Sequence, residues 1–349
     1  MTAEAFAALW VGGSQPLIAN LRARVELVAG VPVSFADRGD IPNCYICCPS
    51  VAYRDYGIEE TRLLHTSRLV QGASVMGLRS TGPLLRATGL DHQCQINNWM
   101  LATNPPMDWP AEQVAALMQA MAAAHPDRAV VLRSLNDRTD GALIAGLRRA
   151  GATLIPARQV WLRPPDAAGS RDFRRDAALL AASALQQVPG EAFTPNDFEV
   201  AARLYGMLYL QKYTMLNPQY SAAFLCGMQR AGVMRLVGLR GEAGMVAVIG
   251  TVDIGGVLTA PVVGYRTDLQ QEMGLYRMLM AIAISQAQGR MFHMSAGAAG
   301  FKRNRGAVPA IEYTAAYVRH LPRRARTATA VLAGLLDRLA VPVMRKYAL

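Results

Sequence analysis

Residues 234–265 read as three strands in succession: Met234–Leu239, Met245–Asp253 and Val257–Tyr265. Only Ile254-Gly255-Gly256 separates the second from the third, a turn signal of the hairpin kind. A polar loop, Arg266–Met273, follows. Leu275, Leu279, Ile282 and Ile284 then mark the broad apolar face of a helix that ends at Gly289. Two more strand-like runs, Arg290–Met294 and Ile311–Val318, bracket a segment of small and basic residues. This order of elements commits the second half of the chain to a sheet with a helix crossing it.

The bracketed segment runs from Ser295 through Gly297, Gly300 and Phe301 to Lys302-Arg303-Asn304-Arg305-Gly306. Small residues let backbone N–H groups approach a ligand closely, and three cations within four residues would face an anion there. Phosphate or pyrophosphate suits such a loop. The plainer alternative is a solvated basic hairpin loop.

Strand–strand–strand–loop–helix–strand is the order of the GNAT acyltransferase core. The residues 289–295, with Phe292 and His293, and then Gly300 to Gly306, resemble the FemAB-like branch of that superfamily. In that branch a phenylalanine-lysine-arginine … glycine signature follows the strand after the helix, as Phe301-Lys302-Arg303 … Gly306 does here. The resemblance covers Gly264–Tyr317. The usual GNAT phosphate signature, Arg/Gln-x-x-Gly-x-Gly/Ala, is absent, and the loop Arg266–Gly274 holds a single glycine.

The resemblance implies an α/β fold of two tandem GNAT-like domains, each a mixed, mostly antiparallel sheet flanked by helices. The expected division is 1–165, 172–322 and a basic amphipathic tail, 323–349. It implies transfer of an acyl group from an acyl-CoA-type thioester to an amine, with acyl-CoA as cosubstrate and no permanently bound cofactor. The alternatives are an aminoacyl-tRNA or acyl carrier protein as donor, or a non-catalytic binding module on the same scaffold. Donor contacts would come from Arg266, Gly274, Ser295, Gly297, Lys302, Arg303 and Arg305. The backbone near Pro261–Gly264 would polarise the donor carbonyl. Candidate bases are Asp253, Glu272 and Glu312, with Tyr276 or His293 as acid or relay.

The first half alternates strand-like and helical segments, which implies an α/β domain. Strands are expected at Cys44–Cys48, Gln93–Leu101, Ala129–Leu132, Thr153–Ile155 and Val160–Leu162. Helices are expected at Glu59–Leu78, from Trp109-Pro110 to Ala124, and at Asp140–Ala150. Arg163–Arg171, with Pro164 and Pro165, is the linker candidate. Beyond it come a helix over Phe173–Leu185 and another opened by Thr194-Pro195-Asn196-Asp197, a capping pattern. Tyr205, Tyr209 and Tyr213 then fall on one helical face.

Three polar clusters sit at strand ends: Asn97-Asn98, Arg133 with Asn136, and Arg158-Gln159. Buried amides need partners, so these clusters are either internal hydrogen-bonding centres or walls of a cleft. An acceptor pocket between the halves would be lined by Asn97, Asn98, Arg133, Asn136, Tyr209 and Tyr213.

The net charge is +11, and residues 290–349 hold eleven Lys and Arg against two acids. That excess favours an anionic partner for this half, such as a CoA phosphate, a carrier protein or RNA. Five cysteines include Cys44, Cys47 and Cys48, but no second ligand pair follows, so neither a metal nor a disulfide is expected. No apolar run reaches the roughly 18 residues of a transmembrane span, and residues 1–10 lack the cationic start of a signal peptide. A cytoplasmic location is the resulting expectation. The tail carries Val331, Leu332, Leu335, Leu336 and Leu339 at helical spacing beside Arg323, Arg324 and Arg326, and such a helix packs on its own domain or lies on a membrane.

Overall fold

The computed structural model describes residues 2–37, 44–63, 67–167 and 169–347. Among them, eleven strands form one sheet: β1 (Ala23–Val28), β2 (Val31–Ala36), β3 (Gln93–Ile96), β4 (Ala129–Asn136), β5 (Thr153–Arg163), β6 (Gln186–Pro189), β7 (Arg235–Gly241), β8 (Gly244–Ile254), β9 (Val257–Tyr265), β10 (Met291–His293) and β11 (Val308–Tyr317). The helices are α1 (Thr2–Ala8), α2 (Tyr56–Leu63), α3 (Arg68–Ser80), α4 (Gly82–Thr88), α5 (Ala111–Ala124), α6 (Gly141–Arg149), α7 (Arg171–Ala182), α8 (Pro195–Gly206), α9 (Ala222–Arg230), α10 (Leu275–Gln286), α11 (Ala299–Arg303), α12 (Arg323–Leu335) and α13 (Val341–Tyr347).

Strand order is β1-β2-β3-β4-β11-β5-β10-β9-β8-β7-β6. The two halves repeat one plan. In the first, β3, crossover helix α5 and parallel β4 lead through α6 to β5; in the second, β9, crossover helix α10 and parallel β10 lead through α11 to β11. All other pairings are antiparallel. The final strands of the halves are exchanged. β11 enters the first half between β4 and β5, and β5 pairs with β10 of the second. This exchange fuses two mostly antiparallel sheets into one. The chain leaves β5 for α7 through residues 164–170, while the sheet and the core run across that point. One apolar cluster joins Phe6, Trp10 and Trp99 of the first half to Phe198, Tyr205 and Phe224 of the second.

The β8–β9 hairpin closes where the sequence signals it. Gly255 and Gly256 both take positive φ, 63° and 73°, a conformation that Cβ-bearing residues avoid. Gly264 serves another purpose: a Cβ there would lie 2.4 Å from the Tyr205 amide nitrogen, so glycine lets α8 press directly on β9. The α8 cap is the expected capping box, Thr194 with Asp197. Beyond α8 the helix widens into a π-helical stretch, Met207–Tyr213. Tyr205 and Tyr209 stack at 4.8 Å there, and Tyr213 follows at 6.1 Å from Tyr209, on the shared face that the spacing predicts.

Several expectations need correction. Cys44–Cys48 is turn rather than strand. Its apolar side chains are buried, and the Cys47 carbonyl accepts from the Gln93 amide at 2.7 Å instead of joining a ladder. The helix expected over Glu59–Leu78 is two helices, α2 and α3, and residues 64–66 between them lie outside the described residues. The strand expected over Gln93–Leu101 stops at Ile96, because Asn97 turns the chain with φ 53°. The two short strands after α6 are one, β5. The small-residue loop after β10 holds a helical turn, α11.

Candidate active site

The site is built around two strands that the exchange makes neighbours. Glu312 of β11 stands across from Arg158 of β5, and the register shifts between Glu312 and Tyr313. Such bulges re-aim side chains. Arg158 donates from Nε to Glu312 Oε1 at 3.0 Å and from Nη2 to Oε2 at 3.2 Å. Nη2 also donates to the Ala102 carbonyl at 2.8 Å and to Thr103 Oγ1 at 2.9 Å. Burial opposes the charge on Arg158, but Glu312 outweighs it and the guanidinium is held charged. Arg133 of β4 shares the Ala102 carbonyl at 3.2 Å and ties down the Ile46 carbonyl at 2.6 Å.

Arg158 lies between two groups of tyrosines. Tyr45 and Tyr56, with rings 4.9 Å apart, form one wall from the first half. Tyr209, Tyr213 and Tyr276 form the other, with Phe301 4.9 Å from Tyr276. Glu60 on α2 is solvent-exposed at its own surface, yet loss of surrounding water pushes its carboxyl up while Arg158 pulls it down. Burial also raises Tyr45, Tyr56, Tyr209 and Tyr276, so their phenols stay protonated and available as donors at neutral pH. A groove of about 470 Å³ past Ile58, Leu210 and Tyr213 adjoins this region.

Near the cleft the sheet parts. β9 and β10 pair only from Val257 to Thr259 and from Met291 to His293. Beyond that point β9 continues to Tyr265, while Met294 and Ser295 bond back to Trp161 at 2.8 and 3.1 Å. The residues 260–265 therefore face a notch. On its far bank Ser295 and Ala298 both take positive φ, 60° and 50°. Strained non-glycine backbone of this kind persists where the surroundings impose it. Here it accompanies a grip on Lys302, whose Nζ donates to the carbonyls of Ser295 at 3.1 Å and Ala296 at 2.7 Å. Burial lowers the Lys302 ammonium to about 7, and Arg158 pushes the same way. Lys302 is therefore poised to give up and take back a proton near neutrality.

His293 is buried beside this group. Burial lowers it to about 4, despite Glu312. Its Nδ1 accepts from the Ser295 amide at 3.1 Å, which leaves the proton of the neutral ring on Nε2, 3.8 Å from Glu312 Oε2.

The expected site residues therefore separate. Glu312, His293, Tyr276, Lys302, Ser295, Tyr209 and Tyr213 converge on the cleft and notch, and Arg133 stands behind them. The expected anion clamp does not form as drawn. Lys302 is 3% exposed and its ammonium faces backbone carbonyls. Arg305 is 5% exposed, bonded to Asp176 at 2.6 Å and to the Phe301 carbonyl at 2.8 Å. Of the three, only Arg303 is exposed, 5.3 Å above the Trp161 ring. Arg266 is half-buried and occupied by Asp268 at 2.5 and 2.7 Å. Gly274 caps α10 with φ 66°, and Leu179 fills the space where its Cβ would be. Gly297, at φ 75°, belongs to the strained bank. Asp253 pairs with Arg290 beside the hairpin, and Glu272 is exposed in a short 3₁₀ turn. Neither reaches the cleft residues.

The amide clusters are internal. Asn97 donates to the Pro105 carbonyl and accepts from Trp99 Nε1, and Asn98 bonds Ser34 and the Met100 amide. Asn136 organises the turn to Asp140 and borders a cavity of about 10 Å³, which has room for roughly one water. They shape the turns beneath the strands and do not line an acceptor pocket. Tyr45, Tyr56 and Glu60 carry no local sequence signal for this position. Arg158 reads in sequence only as a polar strand residue, and nothing local gives away its partner on β11.

No protein-family model matches the sequence, and no curated protein is similar to it. Solved structures share the fold. The L-PGS from Bacillus licheniformis superposes with a TM-score of 0.52 at 12% identity, over 95% of this chain and 96% of that one. The carboxy-terminal domain of a lysylphosphatidylglycerol synthetase from Agrobacterium fabrum gives 0.53 at 10% identity, over 96% and 95%. FemX gives 0.52 at 8% identity, over 89% and 94%.

Proposed function

We propose that the protein transfers an acyl group, best read as an aminoacyl group, from an activated ester to a nucleophile bound in the tyrosine-lined cleft. The observation that carries this reading is Lys302, buried beside the notch with its ammonium lowered to about 7 and Arg158 close by. In such a reaction the nucleophile attacks the donor carbonyl, the bond to the leaving oxygen breaks, and one proton moves from the nucleophile to the leaving group. Neutral Lys302 would take that proton and return it. Arg158, fixed by Glu312, would supply positive charge near the developing oxyanion, and the protonated phenols would orient the reacting groups.

Two features favour an ester over a CoA thioester. The start of α10 lacks the run of glycines that opens a helix end to pyrophosphate, and Leu179 packs against Gly274 there. The nearby groove, of about 670 Å³, offers Arg203, Arg240 and Arg266, but Arg240 is held by Asp197 and Arg266 by Asp268. The name of one structural neighbour describes joining a lysyl group to phosphatidylglycerol, an aminoacyl transfer. The test is native mass spectrometry with CoA, acyl-CoA and aminoacyl-tRNA offered separately, followed by transfer assays with the donor that binds. Binding of aminoacyl-tRNA with Lys302-dependent transfer is expected. Saturable binding of acyl-CoA alone would return the reading to a CoA-dependent acyltransferase.

A further inference from the structure

The outer face of the carboxy-terminal helix takes no part in the cleft. α12 continues through a π-helical stretch, Leu336–Ala340, into α13, so 323–347 is one helix of 25 residues, long and apolar enough by composition to cross a membrane. Its inner side is already committed. Ala325, Leu332 and Ala333 pack into a cluster with Leu85 of α4 and Ile155 of β5. Its outer side carries Val331, Leu335, Leu339, Val343 and Tyr347, each between 43% and 65% exposed.

These five recur at steps of four residues. In a plain α-helix each such step rotates the stripe by about 40°, so four steps would carry it nearly half-way round. The wider π-helical turn in the middle takes up part of that drift and keeps the stripe on the solvent side. Arg323, Arg324, Arg326, Arg338, Arg345 and Lys346 are exposed around it, and Asp337 is the one acid in the span.

We propose that this helix docks the protein, lying flat, on an anionic lipid surface. Charge complementarity selects the occupant. Cations flanking an apolar stripe match acidic headgroups above acyl chains. RNA would meet the cations but gain nothing from five exposed apolar side chains. The packed inner face keeps the helix along the surface instead of across it. This inference stands apart from the proposed chemistry.

The test is cosedimentation of the full chain with vesicles of phosphatidylcholine, with and without phosphatidylglycerol. Binding is expected only with phosphatidylglycerol, and salt should weaken it. Val331→Glu/Leu335→Glu/Leu339→Glu should reduce that binding by at least about tenfold, as should Arg323→Glu/Arg324→Glu/Arg326→Glu. Leu339→Glu, at the most exposed position of the stripe, serves if the triple variant fails to fold. Equal binding to neutral vesicles, no binding at all, or undiminished binding by the variants would overturn the proposal. So would a dimer that the stripe variant dissociates, or tRNA binding lost in the arginine variant without any vesicle binding.

Discussion

Glu312 on the last strand takes two hydrogen bonds from Arg158 on the last strand of the first half, at 3.0 and 3.2 Å. The partners are 154 residues apart in sequence. They meet only because β11 is inserted beside β5. The strand exchange that fuses the halves thus also assembles this pair.

Removing one partner leaves the other charge buried and uncompensated. Glu312→Gln is expected to lower unfolding free energy by about 3–5 kcal/mol. The double replacement Arg158→Met/Glu312→Leu should recover much of that loss, because no charge remains buried, while transfer activity stays absent. Denaturant melts of the three proteins check this. Equal stability of Glu312→Gln and wild type would mean the pair carries no structural weight.

Arg303 and Arg305 should respond very unequally to alanine. Arg305→Ala orphans part of the Asp176 carboxylate, which is 0% exposed, and should cost about 3–5 kcal/mol. Arg303→Ala loses an exposed contact with Trp161 and should cost under about 1 kcal/mol. Thermal melts distinguish them, and a stable Arg305→Ala would restore the reading of this residue as a free anion contact.

The segment 234–265 was legible because each strand and the glycine turn are written locally, and the cap at Thr194-Asp197 likewise. The cations of 302–305 do not form the expected clamp, because charge is visible in sequence but burial is not. Whether Arg305 meets solvent depends on Asp176, on a helix far upstream. The amides of Asn97 and Asn98 do need partners, and these are backbone and neighbouring side chains. Tyr45 is hidden in the sequence because the stretch at 44–48 has strand-like composition yet folds as turn. β1 and β2 were also passed over, although Ala29-Gly30, both at positive φ, joins them as a hairpin. Strand exchange itself leaves no local trace, since register between distant strands is set by the whole core.

Stability should rise with pH in two windows. His293 is lowered to about 4 and Lys302 to about 7, each by burial. Between about 4 and 6.5 for the histidine, and about 7 and 10.4 for the lysine, the unfolded chain binds more protons than the folded one. Unfolding free energy therefore increases as pH rises through each window, and the lysine contribution disappears in Lys302→Met. Denaturant melts from pH 7 to 10 check the second window. A slope unchanged by Lys302→Met would assign it to other groups.

The proposed transfer turns on the proton held by Lys302, and the chain has only two other lysines, Lys212 and Lys346. Carbon-13 labelling of lysine Cε gives few signals, and Lys302→Arg assigns the one that vanishes. Followed against pH by NMR, that resonance is expected to titrate with a midpoint of about 7. A midpoint for that resonance at the free-lysine value of about 10.4 would rule out Lys302 as the proton carrier.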